Sequence, residues 1–305
     1  MKIGIVTITF NSGDVLIPFM ECIKNQTYTD YILYIVDNIS TDNTLEITAN
    51  YTEDKRIKII ANDKNIGVAA GNNQGIKQAL EDGCDALLIL NNDVEFEPTL
   101  LQKLKDQLLQ HPEYDLVTCK MMYFFDKQLI WYAGSNFDRK NGWLVPHIGM
   151  LEKDMGQYDT PKQMEYAPTC CVLVNKIVFE HIGLMDEQYF AYFDDTDFFY
   201  RIHKDGRHKL LYYPFVEFYH KVGSLSKSKD GTPQNFKFGD FHIKLSTRNK
   251  VYYLRKQQSI YAWLNIAWFF IRMQLRFVVS GKYNLNSKTY ILLLKSFFQG
   301  LKMKI

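Results

Sequence analysis

The stretch Leu87-Leu88-Ile89-Leu90-Asn91-Asn92-Asp93-Val94-Glu95 decides the fold. It begins with an apolar run and then changes abruptly to two amides and a carboxylate. Such a run is typical of a strand that is buried on both faces of a parallel sheet. In open α/β sheets, ligands bind at the carboxyl ends of the strands. We therefore predict that Asp93 lies at a ligand-binding edge, with Asn91 and Asn92 as neutral hydrogen-bonding neighbours.

The carboxylate at this edge predicts a metal site. An Asp oxygen is a hard ligand that suits Mg²⁺ or Mn²⁺, and either ion can hold a diphosphate. A simple turn is the alternative interpretation, because Asn and Asp favour turns. Pro98 also suits the first turn of a helix over residues 99–110. The stretch alone leaves both interpretations open.

The segments before this stretch predict the rest of the sheet. Residues 2–9, 31–36 and 57–61 are rich in β-branched or apolar side chains, as strands are. Apolar residues at helical spacing follow at 15–25 and at 44–51, and a third helix is expected to end at Glu81. Alternating strands and helices predict a mostly parallel, doubly wound α/β sheet.

Composition excludes several classes of protein. The 36 basic and 34 acidic side chains nearly cancel, so the net charge does not favour nucleic acid as a partner. The five cysteines include no CxxC pair, which argues against a disulfide framework or a structural zinc site. The first residues lack a signal-peptide pattern, and no P-loop motif occurs. We expect a cytoplasmic protein that is not a P-loop enzyme.

Two further features lie near predicted strand ends. Asp37 ends the second strand, where it can accept a hydrogen bond from a base or a ribose, or serve as a turn residue or helix cap. Gly67, Gly71 and Gly75 do not form a GxGxxG motif. Their spacing indicates either a close backbone approach or tight helix packing.

The second half of the chain has a looser pattern. Residues 116–122, 130–134 and 164–167 resemble strands, and we interpret this region as an acceptor side built on the same core. A strand over 171–174 and a helix over 176–182 follow.

Three acids stand just before an apolar helical pattern, at Asp194, Asp195 and Asp197. A helix N-terminus favours anions, so we expect these carboxylates to stay ionised at neutral pH. Capping explains one acid but not three beside aromatic side chains, because burying carboxylates there costs desolvation unless a metal or substrate offsets it. His220 ends a short strand, where a lone His is commonly a surface residue. With Asp93 it would form an Asp/His metal pair.

Six motifs in chain order resemble family 2 inverting glycosyltransferases of the GT-A fold, and within that family the bacterial rhamnosyltransferase-type members. They run from residue 2 to about residue 249 and so cover most of the chain. The motifs are Thr9-Phe10-Asn11, Val36-Asp37-Asn38-x-Ser40-x-Asp42, Asn65-x-Gly67-x-Ala69-x-Gly71-x-Asn73-x-Gly75, Leu90-Asn91-Asn92-Asp93, Phe193-Asp194-Asp195-x-Asp197-x-x-x-Arg201 and His220-x-x-Gly223-Ser224.

The resemblance implies a role for several of these residues. It implies that Asp37 reads the nucleotide base and that Asp195 is the general base. It also implies that Asn91–Asp93 stands in for the DxD motif and that His220 completes a Mn²⁺ or Mg²⁺ site with Asp93. The remaining residues expected to bind the nucleotide sugar are Thr9, Asn11, Asn65, Gly67, Gly71, Asn73, Asn91 and Asn92.

The other two acids near the predicted base, Asp194 and Asp197, are expected to have different roles. Asp194 is expected to orient the acceptor hydroxyl or the base. Arg201 is expected to pair with Asp197 as a structural contact, because the two are one helical turn apart. The sequence departs from the family at Asn91 and Asn92, which replace carboxylates and leave Asp93 as the only acid of that motif.

The resemblance implies transfer of a sugar from dTDP-rhamnose or a UDP-hexose to a hydroxyl group. The acceptor would be a growing surface polysaccharide or a lipid-linked oligosaccharide. Two alternatives stay open: a sugar-phosphate nucleotidyltransferase, and a non-catalytic nucleotide-sugar or glycan-binding protein with a decayed site. The nucleotidyltransferase would be expected to show a Gly- and Arg-rich signature after the first strand, which residues 10–13 lack.

We expect a GT-A domain over residues 1–255, with a nucleotide-binding half at 1–115 and an acceptor-binding half at 116–255. Residues 256–305 are expected to form amphipathic helices. One helical face carries only apolar residues, and Asn265, Arg272 and Arg276 form a narrow opposite stripe. Residues 257–271 are too few to span a bilayer, so we predict peripheral attachment to the inner face of the cytoplasmic membrane. A homodimer interface is the alternative. The apolar face comprises Ile260, Leu264, Ala267, Trp268, Ile271, Leu275 and Val278.

Overall fold

The computed structural model describes residues 1–223, 239–278 and 286–305. Ser224 of the last motif lies outside these residues. The strands of the described part are β1 (Ile3–Thr9), β2 (Tyr31–Asp37), β3 (Ile57–Ala61), β4 (Ala86–Leu90), β5 (Val94–Phe96), β6 (Leu116–Cys119), β7 (Met121–Tyr123), β8 (Ile130–Tyr132), β9 (Lys162–Met164), β10 (Cys171–Asn175), β11 (Leu210–Tyr213) and β12 (Phe218–His220). The helices are α1 (Gly13–Lys24), α2 (Thr44–Ala49), α3 (Val68–Glu81), α4 (Leu100–Gln110), α5 (Lys176–Ile182), α6 (Asp194–Asp205), α7 (Asp240–Lys256), α8 (Ile260–Val278) and α9 (Ser287–Lys302).

The main sheet has the strand order β3-β2-β1-β4-β10-β6-β11-β9. The first four strands are parallel, as the alternation of strands and helices predicts. The apolar run at the start of the deciding stretch is β4, and all its residues are buried, because helices or other elements cover both faces. β10 then runs antiparallel to both β4 and β6, while β11 is again parallel to β6. The prediction of a mostly parallel α/β sheet is confirmed.

A second sheet has the order β5-β12-β7-β8. The expected strand over residues 116–122 is in fact two strands, β6 in the main sheet and β7 in the second. Lys120 lies at the break, and its ammonium group contacts Asp154 at 2.5 Å and Asp159 at 2.6 Å. Both acids are distant from β6 and β7 in the sequence. The pattern of apolar residues over 116–122 therefore does not predict the break. The strand expected over residues 164–167 is instead β9, at Lys162–Met164.

The C-terminal helices form a core of their own with the second half of the chain. Buried side chains of α7 pack with Tyr189 and Trp143, and with residues of α8 and α9. Ala262, Ile266 and Met273 of α8 are the buried positions of that helix. No helix in the described ranges is long and apolar enough to cross a membrane.

Candidate active site

The carboxyl edge of the main sheet collects the predicted site residues. Thr9 and Asp37 are register partners at the ends of β1 and β2. Asp93 follows the end of β4, and the antiparallel strand β10 begins opposite Leu90. This pairing brings Cys170, the residue before β10, to the same edge. The second sheet adds His220, which is paired with Val94.

Asp93 and His220 form a close pair at this edge. The His220 Nε2 atom lies 3.4 Å from Asp93 Oδ1, and His220 and Asp93 are only 7% and 4% exposed. Burial lowers the pKa of His220, but the neighbouring Cys170 thiol and Asp93 carboxylate outweigh burial and hold that pKa well above its ordinary value. The Asp93 carboxylate thus favours a positive charge beside it, and a divalent ion bound there would take the place of the His220 proton.

The donor set of this pair fits a divalent ion. A carboxylate oxygen and an imidazole nitrogen suit Mn²⁺, and Mg²⁺ is held in many proteins by one or two carboxylates plus substrate phosphates. Within the described ranges no cluster of three or more His, Cys, Asp or Glu side chains could hold a metal by itself. An ion held by Asp93 and His220 would therefore need further ligands, such as the oxygens of a bound phosphate group.

Asp195 lies at the N-terminus of α6 and is held from two sides. The Tyr166 Oη–H donates to Asp195 Oδ2 at 2.7 Å, and Thr196 N–H donates to Asp195 Oδ1 at 2.6 Å. Burial raises the pKa of Asp195, and the hydrogen bond from Tyr166 opposes this rise. Asp195 keeps partial exposure, whereas Tyr166 is buried. An oriented carboxylate with a raised pKa and access to solvent is suited to proton abstraction.

Asp194 has a different environment. It is only 4% exposed, and burial together with the adjacent Asp195 charge raises the pKa of Asp194 to about 8. The expectation that the carboxylates at this helix N-terminus stay ionised at neutral pH is therefore wrong for Asp194. Loss of hydration outweighs the field of the helix dipole there. Burial and the adjacent Asp195 charge therefore both favour the protonated form of Asp194.

Replacement of Asp194 with asparagine is expected to stabilise the fold at alkaline pH. A raised folded-state pKa gives stability that is full below the unfolded value of 3.8 and is lost as pH rises through about 8. Asparagine cannot ionise, so the melting temperature of Asp194→Asn should exceed that of the wild type by at least about 3 °C at pH 8. The difference should shrink towards pH 4. Thermal unfolding across this range measures it, with exposed Asp14→Asn in α1 as the control. A difference that is constant with pH would contradict the assignment.

Asp197 is a structural residue. Its Oδ2 atom accepts from Arg201 Nε at 3.1 Å, as expected from their spacing. Its Oδ1 atom contacts Lys256 Nζ at 2.7 Å and accepts from Tyr189 Oη at 3.1 Å. These contacts join α6 to α7. The three acids thus have separate environments, and only Asp195 combines orientation with exposure.

The residues predicted to read the nucleotide are tied into one loop network. Asp37 is fully buried, and its Oδ1 atom accepts from Thr9 Oγ1 at 2.7 Å and from Ser40 Oγ at 2.5 Å. The Asn11 Oδ1 atom accepts from the Thr41 amide at 2.8 Å. These bonds fix the loops after β1 and β2 against each other. A contact of Asp37, Thr9 or Asn11 with a nucleotide stays a prediction.

The two amides before Asp93 have protein partners. Asn91 Nδ2 lies 3.3 Å from Cys170 Sγ, and Asn92 Nδ2 donates to Ile8 O at 2.7 Å. Asn92 is only 1% exposed and also contacts Ser12 Oγ, so it ties β4 to the start of α1. Their predicted contacts with the donor stay predictions.

The glycine-rich segment at residues 67–75 shows both a close backbone approach and tight helix packing, the two interpretations that its spacing leaves open. Gly67 has a φ of +87°, and a Cβ atom there would lie 2.5 Å from Phe190 O, so only glycine fits this close approach. Asn65 Oδ1 accepts from the Gly67 amide at 2.9 Å. A Cβ at Gly71 would meet the Ile8 side chain at 3.2 Å, which indicates helix packing. Asn73 is buried and donates to Met185 O at 2.9 Å, so its side chain is directed to the loop before α6.

Sequence reasoning missed four side chains at or near this edge: Tyr166, Cys170, Trp131 and His147. Tyr166, which holds Asp195, follows a short edge strand with no recognisable motif. Cys170 Sγ lies 3.9 Å from His220 Nε2. The Trp131 ring packs edge-on at 4.4 Å from the His220 ring and at 4.8 Å from the His147 ring. Burial lowers the pKa of His147 to about 4, so His147 is neutral at physiological pH.

Comparisons with known sequences agree with this arrangement. The profile of the glycosyl transferase family 2 matches residues 4–183. The chain is 26% identical over 173 residues to the low-salt glycan biosynthesis hexosyltransferase Agl10 of Haloferax volcanii, covering 56% of this chain and 53% of that protein. It is 26% identical over 213 residues to the O-antigen biosynthesis protein RfbC of Myxococcus xanthus, covering 67% and 16%. The chain thus spans about half of the first relative and a smaller part of the second.

Solved structures show the same fold at low identity. TarS 1-349 of S. aureus in complex with UDP has a TM-score of 0.57 and 18% identity, covering 99% of this chain and 81% of that one. GalNAc-T7 with UDP, GalNAc and Mn²⁺ has a TM-score of 0.62 and 15% identity, covering 86% and 52%. These similarities confirm the predicted GT-A fold with appended C-terminal helices.

Proposed function

Because the chain belongs to glycosyl transferase family 2, we propose that it transfers a sugar from a nucleoside-diphosphate sugar to a hydroxyl group with inversion at the anomeric carbon. The observation that carries this proposal is the placement of two chemical groups at one sheet edge. One is the Asp93–His220 pair, and the other is the oriented carboxylate of Asp195.

Asp195 acts as the base in this proposal. Attack on the anomeric carbon needs a group that takes the proton of the acceptor hydroxyl as the new bond forms. The Tyr166 hydrogen bond and the Thr196 amide leave the Asp195 carboxylate fixed in orientation, so little reorganisation is needed at the moment of reaction. Burial and the adjacent Asp195 charge raise the pKa of Asp194, which disfavours a second negative charge beside Asp195.

Asp93 and His220 would hold Mn²⁺ or Mg²⁺ in this proposal. A bound divalent ion supplies charge stabilisation to the leaving diphosphate. The Trp131 ring packs edge-on against the His220 ring, and both His220 and Asp93 are buried. The structure of GalNAc-T7, which has the same fold, contains Mn²⁺ together with UDP, and this supports a divalent ion in the present protein.

The comparisons support a more specific proposal for the donor sugar nucleotide and for the acceptor. TarS structures with UDP and with UDP-GlcNAc support a UDP-sugar, and dTDP-rhamnose is the second candidate donor. Names of relatives that refer to glycan and O-antigen biosynthesis support a surface polysaccharide or a lipid-linked oligosaccharide as the acceptor.

A donor screen tests the proposed function. The purified protein is incubated with UDP-glucose, UDP-galactose, UDP-N-acetylglucosamine or dTDP-rhamnose, with and without Mn²⁺, and release of the nucleoside diphosphate is measured. We expect one donor to be hydrolysed faster in the presence of Mn²⁺, with the Asp195→Asn variant as the matched inactive control. Tight binding of a nucleotide sugar without turnover of any donor or acceptor would favour the non-catalytic alternative. Release of pyrophosphate from a sugar phosphate and a nucleoside triphosphate would favour the nucleotidyltransferase.

We also propose that α8 attaches the protein to the inner face of the cytoplasmic membrane. The apolar residues of its predicted face are exposed in the folded chain, with Leu264 at 59%, Trp268 at 54% and Leu275 at 52%. Residues 256–305 contain eight Lys and Arg side chains and no Asp or Glu. An apolar face with exposed Trp, in a segment whose charged residues are all basic, is the pattern of a helix that lies in an anionic membrane interface. A lipid-linked acceptor would be held at the same membrane surface.

The membrane proposal predicts that Trp268→Glu with Leu275→Glu abolishes binding to anionic vesicles. Both positions are exposed, so the fold should tolerate the change. Co-sedimentation with phosphatidylglycerol vesicles measures binding, and phosphatidylcholine vesicles should retain much less protein. Exposed Leu109→Glu, on α4, is the matched control and should bind as the wild type does. If the double variant instead converts a dimer to a monomer without any change in vesicle binding, the face is a subunit interface.

A further inference from the structure

The turn that precedes α6 has uncommon backbone dihedral angles. Phe190, Tyr192 and Phe193 have φ angles of +57°, +66° and +68°, and Asp194 and Asp195 follow directly at the start of α6. Bulky residues with positive φ are strained and persist only where the surrounding structure holds them. The position of Asp195 thus depends on whatever holds this turn.

Asn249, in the middle of α7, holds the turn. It is fully buried, and its Nδ2 atom lies 2.8 Å from Tyr189 O, 2.8 Å from Ala191 O and 2.9 Å from Tyr192 O. One side-chain amide therefore gathers three main-chain carbonyls of the turn. Buried carbonyl groups need hydrogen-bond partners, and an apolar side chain at position 249 would remove these.

The neighbouring arginine completes the arrangement. The Arg248 Nε–H donates to Asn249 Oδ1 at 2.8 Å, which fixes the amide so that its nitrogen faces the turn. The Arg248 Nη2 group donates to Gln188 O at 3.0 Å and to Tyr189 O at 3.2 Å. The other side of the turn contacts the loop at Gly67, before α3, where the Val68 amide donates to Phe190 O. The turn is thus held between α7 and the loop at Gly67.

We propose that Asn249 is a positioning residue that holds Asp195 in its reactive orientation through the turn at residues 189–193. The inference rests on the proposed function, because it assigns Asn249 a role in the proton-accepting step of transfer. Asn249 touches neither the Asp93–His220 pair nor Asp195 itself. Its contribution should therefore appear in the rate of transfer and not in the binding of the nucleotide.

The test is a double-mutant cycle between Asn249→Ala and Asp195→Asn. Asn249→Ala should lower kcat for transfer by about 10- to 100-fold, because a shift of about 1 Å in a catalytic group can cost a factor of about 100. The KM for the donor and the Kd for UDP with Mn²⁺ should stay within about twofold. In the Asp195→Asn background, the same alanine substitution should lower the residual rate by less than about threefold, since coupled residues are not additive. A merely structural role would cost the same factor in both backgrounds.

Two further variants make the result decisive. Asn265→Ala is the matched control, because Asn265 on α8 donates to Lys140 O and Tyr261 O far in sequence from the turn, and it should leave kcat unchanged. If Asn249→Ala does not fold, Arg248→Ala is the second variant, because Arg248 is only partly buried. It removes the outer bonds and should give the same kcat loss and the same lack of additivity. Equal losses in both backgrounds, or a matching loss of UDP binding, would overturn the proposal. If Asp195→Asn itself leaves transfer intact, Asp195 is not the base and the positioning role of Asn249 falls with it. If the wild type transfers no sugar from any donor, the proposed function itself fails.

Discussion

Replacement of Asp195 with asparagine is expected to lower the rate of glycosyl transfer by about 10²- to 10⁴-fold, the range that a general base supplies. Asparagine keeps the shape of the side chain and can still accept the hydrogen bond that Tyr166 donates. It cannot take a proton from an acceptor hydroxyl. Binding of the nucleoside diphosphate with Mn²⁺ should stay near that of the wild type, because the acceptor is absent from that complex.

Calorimetric titration of UDP with Mn²⁺, run beside a transfer assay, measures both effects. Asp205→Asn is a suitable control, because Asp205 lies at the far end of the same helix and pairs with nearby Arg207. Loss of nucleotide binding in Asp195→Asn, to the extent seen for Asp93→Ala, would show that Asp195 is a metal ligand. The base would then lie elsewhere, with Asp194 as the next candidate.

The architecture of the donor half was predictable because its signals are local. The apolar run of β4 and the polar residues after it are adjacent in sequence, and parallel strands bring such ends to one edge. Asp93 and His220 were predicted to pair, and they lie 3.4 Å apart. The break between β6 and β7 was not predictable, because it is accompanied by ion pairs of Lys120 with acids more than thirty residues away.

The roles of the polar residues were harder to predict. Asn and Asp at strand ends serve both as ligands and as loop supports, and the sequence does not separate the two uses. Asn73 illustrates the second use, since its amide is bonded to Met185 and Glu187. Asn249 is a mid-helix residue with no motif, and its partners are about sixty positions away. Only the folded chain shows that it holds the catalytic turn.

The protonation of the acidic cluster also needed the structure. A helix N-terminus stabilises a carboxylate, and this effect can be read from sequence. Burial opposes this stabilisation of the ionised carboxylate. The size of the burial effect depends on which parts of the folded chain cover the site. At Asp194 burial is the larger effect, whereas Asp195 has the Tyr166 hydroxyl to stabilise its charge. Burial thus raises the pKa of both adjacent residues, and only Asp195 has a Tyr166 hydrogen bond that opposes the rise.

Replacement of Asp93 with alanine is expected to weaken Mn²⁺-dependent binding of UDP by roughly 100-fold or more, since a metal ion contributes several kcal/mol of charge stabilisation to a diphosphate. The change removes the only carboxylate of the pair and leaves His220 as a single ligand. Transfer should fall with binding, because the metal is already present when the donor binds. This shared loss distinguishes Asp93 from Asp195.

The measurement is a titration of UDP at several Mn²⁺ concentrations. In the wild type the affinity should rise with Mn²⁺, and in Asp93→Ala and His220→Ala it should become almost independent of Mn²⁺. Glu95→Ala is the matched control, because Glu95 lies two residues away and pairs with Lys221 at 2.7 Å. If Asp93→Ala keeps the Mn²⁺ dependence of the wild type, the ion is held by other residues and the pairing of Asp93 with His220 is structural.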